Sequence, residues 1–552
     1  MRKRWLAVVT VALTVVVAGC GGSGSKSSSN SSGKGIKEGG TLRIGTSSRI
    51  DSLNPYVAFN QDAYTTFMYI YPFLVQYDQN LKFTSDFATK WENSKDGLTW
   101  TFHTRPNAKW SDGKPLTAED AAWTINTDVK YQGTGGANTA GLIAHIKSAE
   151  ATDPNTLVVH YEKPVGNVLS QFQQLAILPK HVWSGYTTHK GNDLKTFPNA
   201  APIVSGGTFI LTKFTKDQIA LFKRNPTFYG PKPHIAAFGL RMFSNDDALI
   251  SAMKSGEIDA IESVPPTGIQ TLKKAGVVVS QVDGVTTNDF IFNANPKKPK
   301  NRELLNLKVR EALAHAIDRD KINKVVWLGT AKSATSFIPP ATGTWHNTDL
   351  RPESFDLAMA NQLLDQAGYK KGSDGIRVAD GHKMSYEVIT PNDLTGLDRT
   401  FQIIQADFRK AGVELKQRSL DSSAAFDVIT APDTKYLDFD LAMWDWVPLI
   451  DPDFMLSVVT CAQYGGWSDS GYCNSAYDAM YSKQGTTLDQ GKRRDIVWQM
   501  QQKLFDERPY IMLNYESWIA AHAKNWDGFV SSPQGPFNSL SKESLTKVHQ
   551  TS

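Results

Sequence analysis

The chain has 552 residues, of which 41% are apolar and 21% charged, an ordinary balance for a globular protein. Its length exceeds one usual domain and points to two or three. The formal charge of +4 includes Arg2, Lys3 and Arg4, so the chain beyond its first segment is near neutrality, which gives no reason to propose nucleic acid as a partner.

Those three basic residues precede an apolar run from Trp5 to Val17, followed by Val17-Ala18-Gly19-Cys20. The run is short for a membrane span and ends in small residues, so residues 1–19 read as a signal peptide. The small-small-Cys ending resembles a bacterial lipobox. That resemblance implies a lipidated Cys20 as the mature N-terminus, anchored to the outer face of the bacterial cell membrane by its acyl chains. Residues 20–37 are rich in Gly, Ser, Asn and Lys and read as the lipidated Cys and a flexible linker.

Thr41-Leu42-Arg43-Ile44 alternates as a first strand. The polar, turn-rich stretch after it carries Ser47, Ser48, Asp51 and Asn54 at a strand's carboxyl end, where α/β sheets place ligands; ordinary turn chemistry explains these residues equally well. Asp96-Gly97 and Asp112-Gly113 are turns flanking an alternating strand with Leu98, Trp100 and Phe102 on one face. Thr117 with Asp120 predicts an N-cap opening a helix from Ala118 to Tyr131. Helical stretches end in Gly before apolar strands at Gly276, at Gly368 before Tyr369, and at Gly412, which predicts α/β layers. Phe401, Ile403, Ile404 and Phe408 form one helical stripe, and a further helix runs from about Asp489 to Glu507, stopped by Pro509.

The stretch from Asp438 to Phe454 begins as a buried alternating strand, then breaks at Pro448 and Pro452 into a loop bearing Trp444, Trp446, Asp445, Asp451 and Asp453. Two readings stand: a binding loop with aromatic contact area and orienting carboxylates, or a strand end with core tryptophans and turn-capping aspartates. Cys461 and Cys473 make an even pair for an oxidising compartment and are expected to be bridged, the alternative being two buried thiols.

Asp96-Gly97-Leu98-Thr99-Trp100-Thr101-Phe102, Trp110-Ser111-Asp112-Gly113-Lys114-Pro115-Leu116-Thr117-Ala118-Glu119-Asp120, Arg224-Asn225-Pro226, Val309-Arg310-Glu311-Ala312-Leu313 and Cys473-Asn474 together resemble the family-five solute-binding lipoproteins, the dipeptide-, oligopeptide- and nickel-type receptors of ABC importers. The resemblance implies an α/β, two-lobed periplasmic-binding-protein-like fold with an extra subdomain in the N-terminal lobe. Its parts would be lobe I at 38–63, the inserted subdomain at 64–200, lobe I again at 201–288, lobe II at 289–509, and a final lobe I segment at 510–552. Crossovers are expected near Asp283 to Asn295 and Arg508 to Tyr515. It further implies a monomeric receptor that captures an oligopeptide, an oligosaccharide or another small polar solute and delivers it to ABC permease subunits. In peptide-binding members an acidic residue four positions before the loop's second proline meets the ligand's amine; Pro448 stands there, and Asp445 is the nearest acidic residue.

No nucleophile elbow, His-Glu-x-x-His or phosphate loop is present, and the 11 histidines are scattered, so neither an enzyme, a metal nor a cofactor is expected. The ligand contacts expected are Trp444, Asp445, Trp446, Asn293 and Ser48, with Tyr464 and Trp467 as a rim. Val204-Ser205-Gly206-Gly207-Thr208, in the place of a family loop, is expected to line the cleft. The competing readings are a secreted glycosidase-like hydrolase using Asp445, Asp451 and Asp453, and a ligand sensor on the same scaffold.

Overall fold

The computed structural model describes residues 36–58, 60–430, 439–533 and 542–551. The signal segment, Cys20 and the linker up to Gly35 lie outside the described residues, as does Asp438. Ile36–Lys37, expected in the linker, is instead a short strand paired with Gln550 and Thr551. Among the described residues no helix is long and apolar enough to cross a membrane.

One mixed sheet of eleven strands runs through the molecule. Its order is Glu414–Leu420, Ser385–Pro391, Leu441–Trp446, Val278–Phe292, Tyr510–His522, Ala260–Ile261, Thr41–Thr46, Ala237–Met242, Ile219–Arg224 and Phe209–Thr215, with Lys332–Ser333 also against Tyr510–His522. Pairing is parallel where helices intervene, as between Ser385–Pro391 and Glu414–Leu420, and antiparallel along the two longest strands. The architecture is α/β, as expected.

Val278–Phe292 and Tyr510–His522 pack against two separate cores. At one end Ile519 and Ala521 pack with Leu249, Met253 and Ile258; at the other Phe290, Ile511 and Leu513 pack with Val309, Leu313, Phe401 and Phe408. Their register slips between Asp283 and Thr287 and again at Asn288/Asp289, so the ladder is interrupted along its length. The four-stranded sheet of Ala88–Asn93, Thr99–Thr104, Thr156–Tyr161 and Ile146–Asp153 has its Phe102 and Leu157 in the same continuous core as Leu42 and Phe238 of the large sheet.

Local signals account for the helices. Thr117 and Asp120 form a reciprocal capping box at the head of Ala118–Tyr131. Leu397–Ala411 buries Phe401, Ile404 and Phe408, each contributing roughly 1.5–3 kcal/mol, and ends at Gly412 with φ +87°. Asp489 caps Gln490–Glu507 by accepting from the Lys492 N–H at 2.9 Å. Gly368 also caps its helix, but Tyr369 begins no strand; only a single bridge, Lys371 to Arg377, follows.

The small four-stranded region also touches the second lobe. The Gly166 N–H donates to Gly485 O at 2.8 Å, Gln490 Nε2 donates to Gly166 O at 3.1 Å, and Ser170 Oγ donates to Asp451 Oδ2 at 3.1 Å. Tyr77, Val285, Ala341 and Ile450 form a small apolar cluster at the same junction.

Candidate functional site

The expected strand of the Asp438–Phe454 stretch is Leu441–Trp446, and the chain turns into the helix Asp453–Val458. Its register sets Trp446 opposite Thr287, Asp445 opposite Asn288, Trp444 opposite Asp289 and Met443 opposite Phe290. Side chains alternate along a strand, so Asp445 shares a face with Met443 and Leu441, whereas Trp444 and Trp446 share the other. The two cores agree with this: Leu441 and Met443 lie in one, Ala442 and Trp446 in the other. Trp444, Asp445 and Trp446 therefore do not converge on one space.

On the tryptophan face, Trp446 is buried and its indole N–H donates to Asp469 Oδ2 at 3.2 Å; Asp469 also accepts from the Tyr510 hydroxyl. Burial pushes the Asp469 carboxyl up to about 6. Trp444 is half-buried against Phe426, with ring centroids 5.7 Å apart. Trp467, 47% exposed, meets Phe426 and Phe454 at 5.6 and 5.8 Å. It sits in the loop between Cys461 and Cys473, which are bridged as expected. Tyr464 in that loop accepts from Asn295 Nδ2. Asn293 is buried; its amide donates to Phe439 O at 2.7 Å and accepts from the Asn295 N–H at 3.1 Å, fastening the turn after Val278–Phe292. Five residues of extended chain, about 16 Å, separate it from Asn288 and hence from Asp445.

On the opposite face, Asp445, Asn288, Asn514 and Ser333 occupy consecutive register positions across four strands. Glu516, two residues beyond Asn514, accepts from Asn288 Nδ2 at 2.7 Å. Burial, reinforced by Asp393, holds the Asp445 carboxyl up at about 6. Burial pushes Glu516 up to about 8, opposed by the Asn288 bond and reinforced by Asp445. Behind them the buried Asp289 is driven well above the carboxylate range by burial and by Asp469 and Asp445. Glu516, Asn288 and Asn514 were not among the expected site residues. The signal for Asn514 and Glu516 was present in Leu513-Asn514-Tyr515-Glu516-Ser517-Trp518, where polar residues recur with period two inside an otherwise apolar strand.

Ser48 is exposed in the loop after Thr41–Thr46 and hydrogen-bonds Asp62, a carboxyl that burial raises to about 6 against that bond. Val204–Thr208 does not lie open. Ser205 and Thr208 are buried, the Gly206 and Gly207 N–H groups donate to Ile70 O at 3.1 and 3.0 Å, and a Cβ on Gly207 would come within 2.4 Å of Tyr69 O. The segment is small because a helix end closes over it.

The aspartates of the loop do not form a catalytic pair. Asp451 accepts from Arg493 Nη1 and Nη2 at 2.6 and 2.7 Å and from Ser170. Asp453 accepts from Gln484 Nε2 at 2.6 Å and from the Tyr481 hydroxyl at 3.3 Å. Both carboxylates are spent on the fold, and Asp445 stands apart from them on the strand. The arrangement can hold a solute, but it offers no acid and base flanking a common bond. Among the described residues no group of three or more His, Cys, Asp or Glu is gathered to hold a metal ion.

Comparison with known proteins adds three findings. The profile of the bacterial extracellular solute-binding proteins, family 5 Middle, matches residues 82–466. Protein XP55 of Streptomyces lividans is 27% identical over 509 residues, covering 90% of this chain and 88% of that protein. The oligopeptide-binding protein AppA of Bacillus subtilis is 24% identical over 519 residues, covering 93% and 92%. The structure of AppA with a nonapeptide superposes with a TM-score of 0.78 at 21% identity over 94% of this chain and all of that one. NikZ of Campylobacter jejuni, in complex with Ni(L-His), gives 0.78 at 22% identity over 92% and 99%. These similarities in structure speak for the fold.

Proposed function

The chain belongs to the bacterial extracellular solute-binding proteins, family 5, a family of ABC-importer receptors rather than enzymes, and on that premise we propose that it is a lipid-anchored receptor for a small polar solute such as a peptide. The hydrolase alternative is set aside, since membership of this family and the engagement of Asp451 and Asp453 both speak against it.

In this reading Cys20 carries the anchor, the solute is held between the lobes, and the closed form docks as a monomer on the permease. The lobe boundaries are those expected from the sequence, with the paired strands Val278–Phe292 and Tyr510–His522 as the hinge. Asp445 is the polar anchor, and Ser48 is the contact offered by the first lobe. Trp444, Tyr464 and Trp467 supply an aromatic wall at the strand's edge, while the buried Trp446 and Asn293 hold that wall in place.

The observation that carries the reading is the position of Asp445: a half-buried carboxylate with no ion-pair partner among the described residues, beside the register slip of the two lobe-spanning strands. Native mass spectrometry of the purified protein, followed by calorimetry with the solute it retains, tests it. A bound solute at one per chain is expected. Turnover of that solute, abolished by Asp445→Asn, would overturn the receptor reading. Release of Cys20→Ala from the membrane fraction is the matching test of the anchor.

A further inference from the structure

The inserted region meets the second lobe at a contact that shares no residue with the proposed solute site. Gly166 precedes the short helix Val168–Phe172, and Ser170 lies within it. They face the notch between the helices Ser475–Thr486 and Gln490–Glu507, where the Gly166 N–H donates to Gly485 O and the Gly166 carbonyl accepts from Gln490. The Ser170 hydroxyl donates to Asp451 and so accepts from that of Tyr77. Asp451 is in turn held by Arg493, whose Nε donates to Gln484 Oε1 at 2.9 Å and whose guanidinium lies over Trp345, 4.8 Å from the ring centroid. Tyr77, Ser170, Asp451, Gln484 and Arg493 are all buried by this contact and its surroundings.

The two sides belong to different bodies. Phe102, Leu157 and Phe172 of the insert share one core with Leu42 and Phe238, whereas Leu456, Ile496 and Val497, near Asp451 and Arg493, share another with Trp446 and Met512. Insert and first lobe therefore move together. A rotation at the interrupted ladder of Val278–Phe292 and Tyr510–His522 must make or break the contact.

Gly166 shows how closely the sides fit. A Cβ placed there would come within 2.7 Å of Thr487 O, 3.1 Å of Gln484 O and 3.2 Å of Arg493 Cδ, all on the second lobe. Two of these are backbone atoms, which cannot swing aside as the end of a side chain can. Glycine serves here for the approach of the other lobe.

We infer that the inserted subdomain is a latch: Gly166 and Ser170 engage Gly485, Gln490 and the Asp451–Arg493 pair when the lobes close, and this contact sets how much of the protein is in the closed form. The inference rests on the receptor reading and its lobe boundaries, and it gives the insert a part in capture. A contact made only in the closed form raises the closed population, and apparent affinity follows the fraction of molecules that is closed. Because the latch touches no solute, it sets strength of capture and leaves the choice of solute to the cleft. Gly166 and Ser170 are positioning residues in this scheme.

Spin labels at Lys163→Cys and Lys483→Cys, both exposed and on opposite sides of the contact, read it on the full chain as a distance distribution. Once co-purified solute is removed by urea and refolding, a short and a long distance are expected, and loaded protein should give the short one. Gly166→Ala, which wedges the lobes apart, should lower the ratio of short to long about tenfold, and Ser170→Ala about threefold. Co-purified solute should leave each variant faster by about the same factor, its lifetime followed by native mass spectrometry during dialysis. Gly185→Ala, where a Cβ meets nothing within 4 Å, is the control and should change neither readout. Thermal melts confirm that the variants fold. A distance distribution untouched by both Gly166→Ala and Ser170→Ala, or fixed at one distance whether or not solute is removed, overturns the latch. If solute co-purifies while the distance stays fixed, the latch falls and the receptor stands. If the two distances interconvert but no solute co-purifies and no peptide binds, the latch stands and the receptor reading falls.

Discussion

Arg493 meets Asp451 with two parallel hydrogen bonds, 2.6 and 2.7 Å long, and both side chains are buried. Asp451 also accepts from Ser170, whose oxygen is 3.1 Å from the Tyr77 hydroxyl, so the Ser170 hydrogen bond ties this ion pair to the small sheet region. Removing one partner leaves the other charge buried and alone. Arg493→Ala is expected to lower stability by about 3–5 kcal/mol, measured by urea unfolding, whereas Ser170→Ala, which leaves the pair intact, should lower it by about 1 kcal/mol.

The bridge between Cys461 and Cys473 closes a loop of 12 residues that carries Tyr464 and Trp467. Its loss in Cys461→Ser/Cys473→Ser is expected to lower stability by about 3 kcal/mol in the chain-entropy treatment. Thiol counting on the unreduced, denatured protein should find neither cysteine free. The loop's aromatic packing on Phe426 and Phe454 should loosen with the bridge, seen as increased accessibility of Trp467 to a fluorescence quencher.

The two tryptophans of the strand should separate by readout. Trp446→Ala removes a buried ring and the donor to Asp469, and is expected to lower stability by about 3 kcal/mol. Trp444→Ala removes a half-buried ring. It is expected to weaken the retained solute about tenfold, about 1.4 kcal/mol, with a smaller change in melting temperature. An unchanged affinity for Trp444→Ala would remove the aromatic wall from the site.

Stability of the solute-free protein should fall from mildly acidic to alkaline pH. The folded state holds the Glu516 proton more tightly than the unfolded chain does, with a value near 8 against an ordinary 4.5. The contribution is therefore complete below about 4.5 and is lost as pH rises through 8. Asp445 adds a smaller effect that is lost through about 6. Urea unfolding at pH 5.5 and 8.5 is expected to differ by about 3 kcal/mol from Glu516, and Glu516→Gln should remove most of that difference.

The elements with strong local causes were legible in the sequence. The Thr117/Asp120 box, Gly412 past its helix and the cysteine pair each depend on chemistry within a few residues, and each is found as expected. The site was less legible for two reasons. Trp444, Asp445 and Trp446 are adjacent in sequence, but the strand continues through Trp446, so period-two alternation sends the carboxylate away from the rings. Asn288, Asn514 and Glu516 come from strands more than 200 residues apart, and only the register of the folded sheet makes them neighbours. Val204–Thr208 misled because small residues serve tight burial as well as ligand approach.

Lys542 and Asp86 form a buried ion pair at 2.5 Å, 456 positions apart, and the Tyr229 hydroxyl donates to the same carboxylate at 2.7 Å. The amino acids of the first lobe are thus synthesised long before the ammonium that neutralises Asp86. Until Lys542 emerges, closing the core around Asp86 would bury an uncompensated charge. The core around Asp86 is thus completed by a residue 456 positions later in the chain.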